Sequence, residues 1–419
     1  MTPQHPNLSQ TTRVFARIGV FSFGGPAAQI ALMHRELVDK HQWLTEREYL
    51  SALSFCMLLP GPEAMQLATY AGWRLHGTRG GLIAGLLFVL PGAVVVLALA
   101  MAYATFGQVP LMQAAFQGVQ AAVVVIVIEA LLRVARRALK GPAHWGIAAA
   151  AFLGLLALNL PFPLIILTAG LVGFLTTHDQ TEPAAPRPGM FGQSLRTALI
   201  WGGLWLGPLA ALVMFENGIL AEIALFFSQL AVVTFGGAYA VLAWMAQTVV
   251  QDKAWLTLPQ MIDALGLAET TPGPLILVTE FVGYLAAHRQ GGVWLGVAGA
   301  VVTLWMTFTP CFLWVFTGAP YIARLASMPR LSGALAAITA AVVGVIANLS
   351  LWFALHVAFG RVDQIRLGPL HLSLPDWGSV NPLSLALTLL AAVMILRLHW
   401  GLAATLITCA ALAMAASRF

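Results

Sequence analysis

The sequence predicts an all-α polytopic membrane protein built from two inverted-topology repeats with broken helices, in roughly 13 transmembrane segments. Of the 419 residues, 59% are hydrophobic and 9% are charged. A soluble chain of this length cannot bury so much apolar surface, whereas a polytopic membrane protein needs it. Glycine and proline interrupt the apolar segments, and the interruptions recur at a constant separation.

Four interruptions lie within apolar segments, and we call them breaks 1 to 4. They are Gly24-Gly25-Pro26, Pro60-Gly61-Pro62, Phe235-Gly236-Gly237 and Pro272-Gly273-Pro274. Proline has no N–H and glycine adopts unusual dihedral angles at the least cost, so neither continues a regular helix. A membrane tolerates such backbone only where protein, water or substrate satisfies it. We therefore expect function at the breaks.

The two pairs of breaks belong to a duplication. Phe23 and Phe235 are separated by 235 − 23 = 212 residues, and Pro60 and Pro272 by 272 − 60 = 212. The same shift relates Trp43 to Trp255 and His76 to His288, and a shift of 219 later relates Pro91 to Pro310. Repeated offsets of this kind indicate internal duplication. The expected organisation is a first repeat at 12–140, connecting segments at 141–220 with a polar linker at 178–190, a second repeat at 221–360, and C-terminal segments at 361–419.

Counting segments predicts the orientation of the repeats. Seven spans separate the two repeat starts, and an odd number inverts the second repeat. The basic cluster from Arg133 to Lys140 indicates a cytoplasmic loop, with the N-terminus cytoplasmic and the C-terminus periplasmic. The connector 34–48 conflicts with this count, because it would be external yet carries Arg35, Lys40 and Arg47. Broken segments that re-enter the membrane are the alternative, and would change the number of spans.

Other function classes find little support in the residues. The net charge of +5 is modest and more typical of basic cytoplasmic loops than of nucleic-acid binding. Cys56, Cys311 and Cys409 are far apart in apolar runs, which predicts neither disulfides nor a metal site. The polar N-terminus lacks the pattern of a cleaved signal peptide. No Walker or dinucleotide fingerprint is present, so we predict no cofactor and no enzymatic activity.

The breaks favour an anionic substrate. Residues 63–66 and 275–278 follow the two Pro-Gly-Pro motifs, where proline is the expected start of a helix. Free N–H groups and the positive end of the helix dipole bind anions at such N-termini. Inverted repeats with broken helices are also the construction of many secondary transporters, whose substrate lies near the midplane.

At these motifs the chain resembles the chromate ion transporter family, in its long two-domain form. The first half carries Phe-Gly-Gly-Pro-Ala, Pro-Gly-Pro-Glu-Ala with Gln66-Leu67, and residues 76–81; the second carries residues 234–239 and 269–274. The resemblance spans both repeats. It implies a multi-pass protein of the bacterial inner membrane that exports chromate and confers resistance, with sulfate as the natural competitor. Short members of the family carry one repeat.

The candidate substrate-binding residues surround the four breaks. They are Arg17, Ser22, Gly24, Gly25, Gln29, Pro60, Gly61, Glu63, Gln66, Thr234, Gly236, Gly237, Thr270, Thr271 and Gly273. Each has a purely structural alternative. The hydroxyl groups could cap helix ends, the two amides could bond neighbouring helices, and Arg17 could anchor its helix at the interface.

Glu63 and Glu269 are the acidic residues nearest the breaks, and a carboxylate inside a membrane is functional by default. An ionised carboxylate repels an anion, so we expect these side chains to carry protons in an antiporter rather than to bind chromate. The alternative for Glu63 is an acid that stabilises a helix N-terminus.

The leading functional hypothesis is therefore a secondary transporter that exports chromate across the bilayer, driven by protons or by the membrane potential. The alternatives are a carrier of sulfate or another oxyanion, an intramembrane redox enzyme and a passive anion channel. The sequence leaves the oligomeric state open, with a homodimer as one candidate.

Overall fold

The structure is a computed structural model, and it describes residues 6–177, 190–216, 218–235, 238–322, 328–367 and 370–417. Most of the predicted linker and the glycines of break 3, Gly236 and Gly237, lie outside the described residues. The chain forms two compact units. Unit one comprises residues Met1–Ala104, Asp179–Ala238 and Leu267–Ser332, and unit two comprises Thr105–His178, Tyr239–Gly266 and Gly333–Phe419.

The described chain is predominantly helical, as expected for an all-α membrane protein. The α-helices are Leu8–Phe21, Gly25–His34, Glu46–Leu58, Glu63–Phe106, Pro110–Ala138, Pro142–Leu158, Phe162–Thr176, Met190–Phe215, Ile219–Val233, Ala238–Gln247, Leu258–Glu269, Val278–Gly318, Pro329–Ala358, Pro382–Ala392 and Leu402–Ala416. Single π-helical turns follow three of them, at Arg35–Lys40, Thr248–Asp252 and Val393–Arg397. Five helical stretches are long and apolar enough to cross a membrane.

Two of the longest helical stretches fold back on themselves. Glu63–Phe106 is interrupted at His76 and Gly77, and Val278–Gly318 at Gly291 and Gly292. In the first, a Cβ at Gly72 would lie 2.6 Å from the Cβ of Ala84, a contact between opposite sides of the interruption. A straight helix would hold these residues about 18 Å apart at 1.5 Å per residue. We call these stretches the first hairpin and the second hairpin.

The second hairpin closes in the same way, since a Cβ at Gly299 would lie 2.7 Å from the Cβ of Ala287. The two turns correspond at a shift of 292 − 77 = 215. The shift of 212 that pairs His76 with His288 therefore does not extend to the turns. His76 is at the first turn, whereas His288 lies inside a helix, one turn before the second interruption.

At breaks 1 and 2 the chain turns back within unit one. The helix before each break and the helix after it have their outer ends on the same side of the unit. Thr11, near the start of Leu8–Phe21, shares a 2.9 Å hydrogen bond with His76. Glu48, in the first turn of Glu46–Leu58, accepts a 3.1 Å bond from Arg74. His34, which ends the helix after break 1, bonds Glu46 over 2.6 Å.

These contacts support the alternative of re-entrant segments and contradict continuous spans through breaks 1 and 2. The connector 34–48 then lies at the same end as the turn of the first hairpin, which resolves the conflict with its basic residues. The prediction of roughly 13 spans counted both broken segments as crossings, whereas the re-entrant alternative gives fewer.

The hairpins of unit one also pack on each other. A Cβ at Gly81 would lie 2.5 Å from the ring of Phe316, and one at Gly85 2.7 Å from the ring of Phe312. Moving forward along one helix therefore moves backward along the other. Residues 78–106 and 293–318 consequently run antiparallel.

Unit two contains long helices joined through small residues. A Cβ at Gly118 would overlap the backbone of Cys409, and one at Gly344 would overlap the carbonyl oxygen of Ala148. Gln120 donates a 2.9 Å hydrogen bond to Asp263 within this unit. Such close approach of helices through small residues is typical of packing inside membranes.

One element departs from the all-α expectation. Strands Val362–Leu367 and Leu370–Pro375 pair antiparallel, with Val362 opposite Pro375. The stretch includes Val362, Ile365 and Leu374 among polar residues, and β-branched residues that alternate with polar ones favour strands. These residues lie in the C-terminal segments expected at 361–419, where no strands were predicted.

Candidate functional site

The breaks of the two halves cross each other inside unit one. The N–H of Gly61 in break 2 donates a 2.7 Å hydrogen bond to the carbonyl oxygen of Thr234, beside break 3. The N–H of Gly273 in break 4 donates a 2.9 Å bond to the carbonyl oxygen of Ser22, beside break 1. At each crossing, one break donates a backbone hydrogen bond to a carbonyl oxygen beside the other. Both of these backbone groups lie where a regular helix is interrupted, so they have a partner although the helix cannot provide one.

Glycine is required where the breaks cross. Gly61 has φ +124°, and a Cβ there would lie 2.7 Å from Nε2 of Gln66 and 2.9 Å from Sγ of Cys311. Gly273 has φ +89° and lies against Gly92, at which a Cβ would overlap the carbonyl oxygen of Pro272. Residues with side chains rarely adopt such dihedral angles, so both crossings depend on glycine for conformation and for space.

The predicted hydroxyl groups are near the crossings but donate within their own helices. Ser22 Oγ bonds the carbonyl oxygen of Ile18 at 2.7 Å, and Thr234 Oγ1 bonds that of Leu230 at 2.5 Å. Thr270 and Thr271 bond carbonyl oxygens three residues earlier. This is the capping alternative, and a hydroxyl group would have to rotate before it could donate to an oxyanion.

The two glutamines stabilise the breaks. Gln29 Nε2 donates to the carbonyl oxygen of Gly273 at 2.6 Å and to that of Ser22 at 3.3 Å, so it joins breaks 1 and 4. Gln66 Nε2 donates to the carbonyl oxygen of Pro60 at 2.7 Å, across break 2. Both Oε1 atoms are buried without a hydrogen-bond partner in the described structure. As acceptors they attract a donor, not an anion.

The helix after break 1 presents an open N-terminus. Gly24 precedes it with φ +88°, Gly25 and Pro26 begin it, and Ala27 and Ala28 are exposed. By contrast, Leu8–Phe21 and Glu46–Leu58 begin with capping boxes at Asn7 and Thr45. The first turn of any helix leaves N–H groups unpaired, and here no side chain of the N-cap residue satisfies them. This end is available to an anion.

Arg17 lies on the exposed face of its helix, four residues before Phe21 and seven before Gly24, which are also exposed. Residues spaced by four and seven share a helix face. Arg17 and Phe21 therefore share the exposed face of Leu8–Phe21, the helix that ends just before break 1. The same position fits the alternative of an interfacial anchor.

The remaining predicted residues are more enclosed. Glu63 is half-buried at the first position of its helix, Glu269 is 9% exposed at the end of Leu258–Glu269, and Pro60 is half-buried within break 2. Residues 271–278 of break 4 and its following helix are all buried. Among the break residues that the structure describes, access from solvent is therefore greatest at break 1.

Comparisons with known proteins agree with this architecture of two halves. The sequence profile described as "Chromate transporter" matches residues 9–174 and 221–415. A probable chromate transport protein of Synechococcus elongatus is 34% identical over 82% of this chain and 84% of its own length. The chromate transport proteins of Cupriavidus metallidurans and Pseudomonas aeruginosa are 32% and 31% identical, over 81% and 84% of this chain and 80% and 82% of their own lengths.

The chain belongs to the chromate transporter family. No solved structure matches it significantly. For a member of this family the breaks are the region of interest, and all the candidate site residues that the structure describes lie in unit one.

Sequence reasoning missed one buried acid of this chromate transporter family member. Glu280, in the second hairpin, is 1% exposed, and its Oε2 has no hydrogen-bond partner within the described structure. The signal was a single acidic residue inside an apolar segment, six positions after Pro274. Attention to the acids immediately beside the breaks obscured it.

A cavity of about 450 Å³ lies within unit two and was not predicted. Its lining includes Asn159, Trp244, Asp252 and Trp352, none of which belongs to a break. Among the described residues, no group of three or more His, Cys, Asp or Glu side chains is arranged to hold a metal ion.

Proposed function

We propose that this protein is a secondary transporter that exports chromate from the bacterial cytoplasm and thereby confers resistance. The observation that carries the proposal is the pair of backbone hydrogen bonds that joins breaks 1 and 4 and breaks 2 and 3, in a chain whose two halves both match the chromate transporter family. These bonds concentrate broken backbone at one place in unit one, where substrate binds in transporters of this construction.

The two repeats are inverted in this proposal. Equivalent helices 78–106 and 293–318 run antiparallel, as deduced from the contacts of Gly81 and Gly85. With both broken regions re-entrant, roughly nine helices cross the membrane. Removing two crossings from seven leaves five between the repeat starts, which is still odd, so inversion follows from either count.

The same count sets the orientation in the inner membrane. The connector and the turn of the first hairpin lie at one end of unit one and carry five basic residues, Arg35, Lys40, Arg47, Arg74 and Arg79. Basic residues are concentrated in cytoplasmic loops, so this end is cytoplasmic, together with the N-terminus. Nine crossings then place the C-terminus in the periplasm.

Chromate binds, in this proposal, at the open helix N-terminus after break 1. The backbone N–H groups of Gly24, Gly25, Ala27 and Ala28 donate to the oxyanion, and the helix dipole favours its negative charge. Arg17 supplies positive charge on the approach to this end. The hydroxyl groups beside the breaks contribute only if they rotate away from the carbonyl oxygens they now bond. They belong to Ser22, Thr234, Thr270 and Thr271.

The test is transport by the purified protein in proteoliposomes and in everted vesicles, with radiolabelled chromate. We expect chromate uptake into everted vesicles, competition by sulfate, and loss of uptake with an uncoupler. Cells expressing the protein should accumulate less chromate and tolerate more of it. Greater chromate sensitivity would contradict export, and flux that ignores imposed proton gradients would indicate a passive channel.

A break-specific variant tests the location of the site. Gly24→Leu places a branched side chain at φ +88° and at the open helix end. Folded protein carrying this change should lose chromate uptake. Gly202→Leu is the matched control, because nothing lies within 4 Å of a Cβ at Gly202. Unchanged uptake by folded Gly24→Leu protein would show that chromate does not bind at break 1.

A further inference from the structure

The second hairpin carries a file of three ionisable side chains on one helix face. Glu280, Tyr284 and His288 are spaced by four residues, so each lies about 6 Å along the helix from the next at 1.5 Å per residue. The rings of Tyr284 and His288 stack, with centroids 5.4 Å apart and planes inclined by 25°. The three side chains therefore form a continuous row, which we call the Glu280 file.

Burial increases along the Glu280 file from the turn inward. His288 is half-buried three residues before Gly291, and the adjacent Arg289 is exposed. Tyr284 and Glu280 are each 1% exposed. The file thus begins where water reaches the hairpin turn and ends at a carboxylate inside the packed unit.

Glu280 faces the other helix of its hairpin. Gly283 lies one turn further along the same face, and a Cβ there would overlap Oγ1 of Thr303. The two helices of the hairpin are antiparallel. One turn before Gly283 is Glu280, and one turn after Thr303 is Thr307, so Glu280 and Thr307 lie at the same level. Thr307 is 2% exposed, and its Oγ1 also has no hydrogen-bond partner among the described residues.

Two buried polar groups without partners at one level are costly unless a proton, water or ligand joins them. A buried carboxylate avoids most of the cost by binding a proton, which also converts one oxygen into a donor. A metal cation would instead require several further oxygen ligands. The geometry therefore favours a proton over a cation at Glu280.

The inner end of the Glu280 file connects with the breaks. Cys311 is one turn beyond Thr307, and its Sγ bonds the carbonyl oxygen of Thr307 at 3.4 Å. Cys311 Sγ and Gln66 Nε2 both border the position that a Cβ of Gly61 would occupy. Residues 303–311 therefore extend from the level of Glu280 to the position of Gly61 in break 2.

The first hairpin has no such file. At the shift of 212 that relates the Pro-Gly-Pro motifs, the positions of Glu280, Tyr284 and His288 are occupied by Ala68, Gly72 and His76, so the acid and the tyrosine have no counterpart. The repeats share a backbone, so a file present in one repeat alone is not required by the fold. This asymmetry points to a directional role.

We infer that Glu280 is the proton-binding residue of coupled chromate transport, and that Tyr284 and His288 connect it to the aqueous end of the second hairpin. The inference rests on the proposed function. With the repeats inverted, that end is periplasmic. A proton entering there passes from His288 through Tyr284 to the Glu280 carboxylate, which becomes neutral, and the proton is released to the cytoplasm as the chromate dianion moves outward.

Few other titratable groups face Glu280. Its own helix carries Tyr284, His288 and the exposed Arg289, and the partner helix contributes Cys311. Residues 78–106 bring Tyr103, whose ring meets Phe281 at 5.3 Å. Helices Ile219–Val233 and Met190–Phe215 also pack on the hairpin and contain Glu222 and Arg196, both close to the helix starts.

The experiment separates coupled transport from exchange. Wild-type protein and Glu280→Gln are reconstituted in proteoliposomes that contain a pH-sensitive dye. Chromate movement is driven by an imposed pH gradient, and chromate–chromate exchange is measured with no gradient. We expect Glu280→Gln to lose gradient-driven chromate movement and the accompanying proton flux by about tenfold or more, with exchange retained.

Tyr284→Phe keeps the ring and its stacking but removes the hydroxyl group, and should slow coupled movement while exchange is unchanged. Tyr321→Phe, at a half-buried tyrosine outside both hairpins and all four breaks, is the matched control and should behave as wild type in both assays. Wild-type coupling in Glu280→Gln would overturn the inference, as would loss of exchange in folded Glu280→Gln, which would assign Glu280 to anion binding. The inference would also be overturned if a sodium gradient drove chromate movement by the wild-type protein in place of the proton gradient. If wild-type protein moves no chromate at all, the proposed function itself fails.

Discussion

The first and second hairpins share a backbone and differ in the side chains they enclose. Their turns have nearly the same dihedral angles, with φ −138° and 60° at His76 and Gly77 and −149° and 73° at Gly291 and Gly292. The first hairpin begins with Glu63 and Gln66 beside break 2, whereas the second buries Glu280 deeper along its helix. The common backbone brings the breaks together, and the two hairpins differ in the acid that each carries and in how deeply it is buried.

The crossings show the same combination of symmetry and difference. Gly92 and Cys311 correspond at a shift of 311 − 92 = 219. Cys311 has room for its side chain beside Gly61, whereas a Cβ at Gly92 would overlap the carbonyl oxygen of Pro272. The first hairpin therefore packs more closely on break 4 than the second hairpin packs on break 2, and the contact at break 4 should be the more sensitive to added volume.

The largest effect is expected from Gly92→Ala. The new Cβ meets backbone, which cannot move aside as the end of a flexible side chain can, so the free energy of unfolding should fall by about 2–4 kcal/mol. Thermal unfolding of the purified protein in detergent measures this loss. Gly146→Ala is the control, since nothing lies within 4 Å of a Cβ there, and it should leave the midpoint unchanged. Equal midpoints for the two variants would refute close contact at this crossing.

Gln29→Leu should have the next largest effect. It removes the amide that donates to the carbonyl oxygens of Ser22 and Gly273, at a cost of about 1–3 kcal/mol for buried acceptors left unsatisfied. The equivalent position at a shift of 212 is Val241, so the second repeat lacks this bond. Thermal unfolding and the chromate transport rate should both decline.

Gln193→Leu, at an exposed position, controls for the general effect of replacing an amide by an apolar side chain. Gln66→Leu tests the same role at break 2, where one carbonyl oxygen, that of Pro60, loses its donor. If Gln66→Leu lowers the free energy of unfolding more than Gln29→Leu does, then the hydrogen bond from Gln29 to Gly273, which joins the two halves, is the less important one.

Much of the organisation around the breaks was predictable because it depends on glycine, proline and hydrophobic length. The helix ends at Phe21 and Leu58 follow from residues that cannot continue a helix. Whether the chain then crosses the membrane or turns back was not predictable, because the same break permits both. The decision comes from tertiary contacts such as that between Thr11 and His76.

The chemistry of the site was predicted less well. Serine and threonine beside a break favour either ligand binding or capping, and only the structure shows that Ser22 and Thr234 bond carbonyl oxygens four residues earlier. The role of Gln29 depends on Gly273, which lies 244 residues away in the sequence. Glu280 was missed because burial in a hairpin cannot be read from spacing to the nearest proline.

Ala27→Pro tests the anion site with a smaller effect. It removes one N–H from the exposed first turn of Gly25–His34, where proline's dihedral angle fits the helix. Loss of one hydrogen bond to a charged ligand should raise the chromate KM by about tenfold or more, with little change in stability. Ala27→Ser keeps the N–H and should bind chromate as wild type does. An unchanged KM in Ala27→Pro would move the site away from break 1.

The smallest effect is expected at the connector 34–48, which differs between the halves. A hydrogen bond from Glu46 and the nearby charge of Asp39 raise the pKa of His34 above 6.5 despite partial burial. A raised pKa stabilises the folded state below pH 6.5, and this contribution is lost as the pH rises through the raised value. His34→Ala should therefore lower the unfolding free energy by less than about 1 kcal/mol at pH 5.5, and by less still at pH 9.

Glu46→Gln should show the same pH dependence, whereas the second repeat has Ala246 and Leu258 at the equivalent positions and no such pair. A difference between wild type and His34→Ala that stays constant from pH 5.5 to pH 9 would mean that packing, not charge, accounts for the effect of His34.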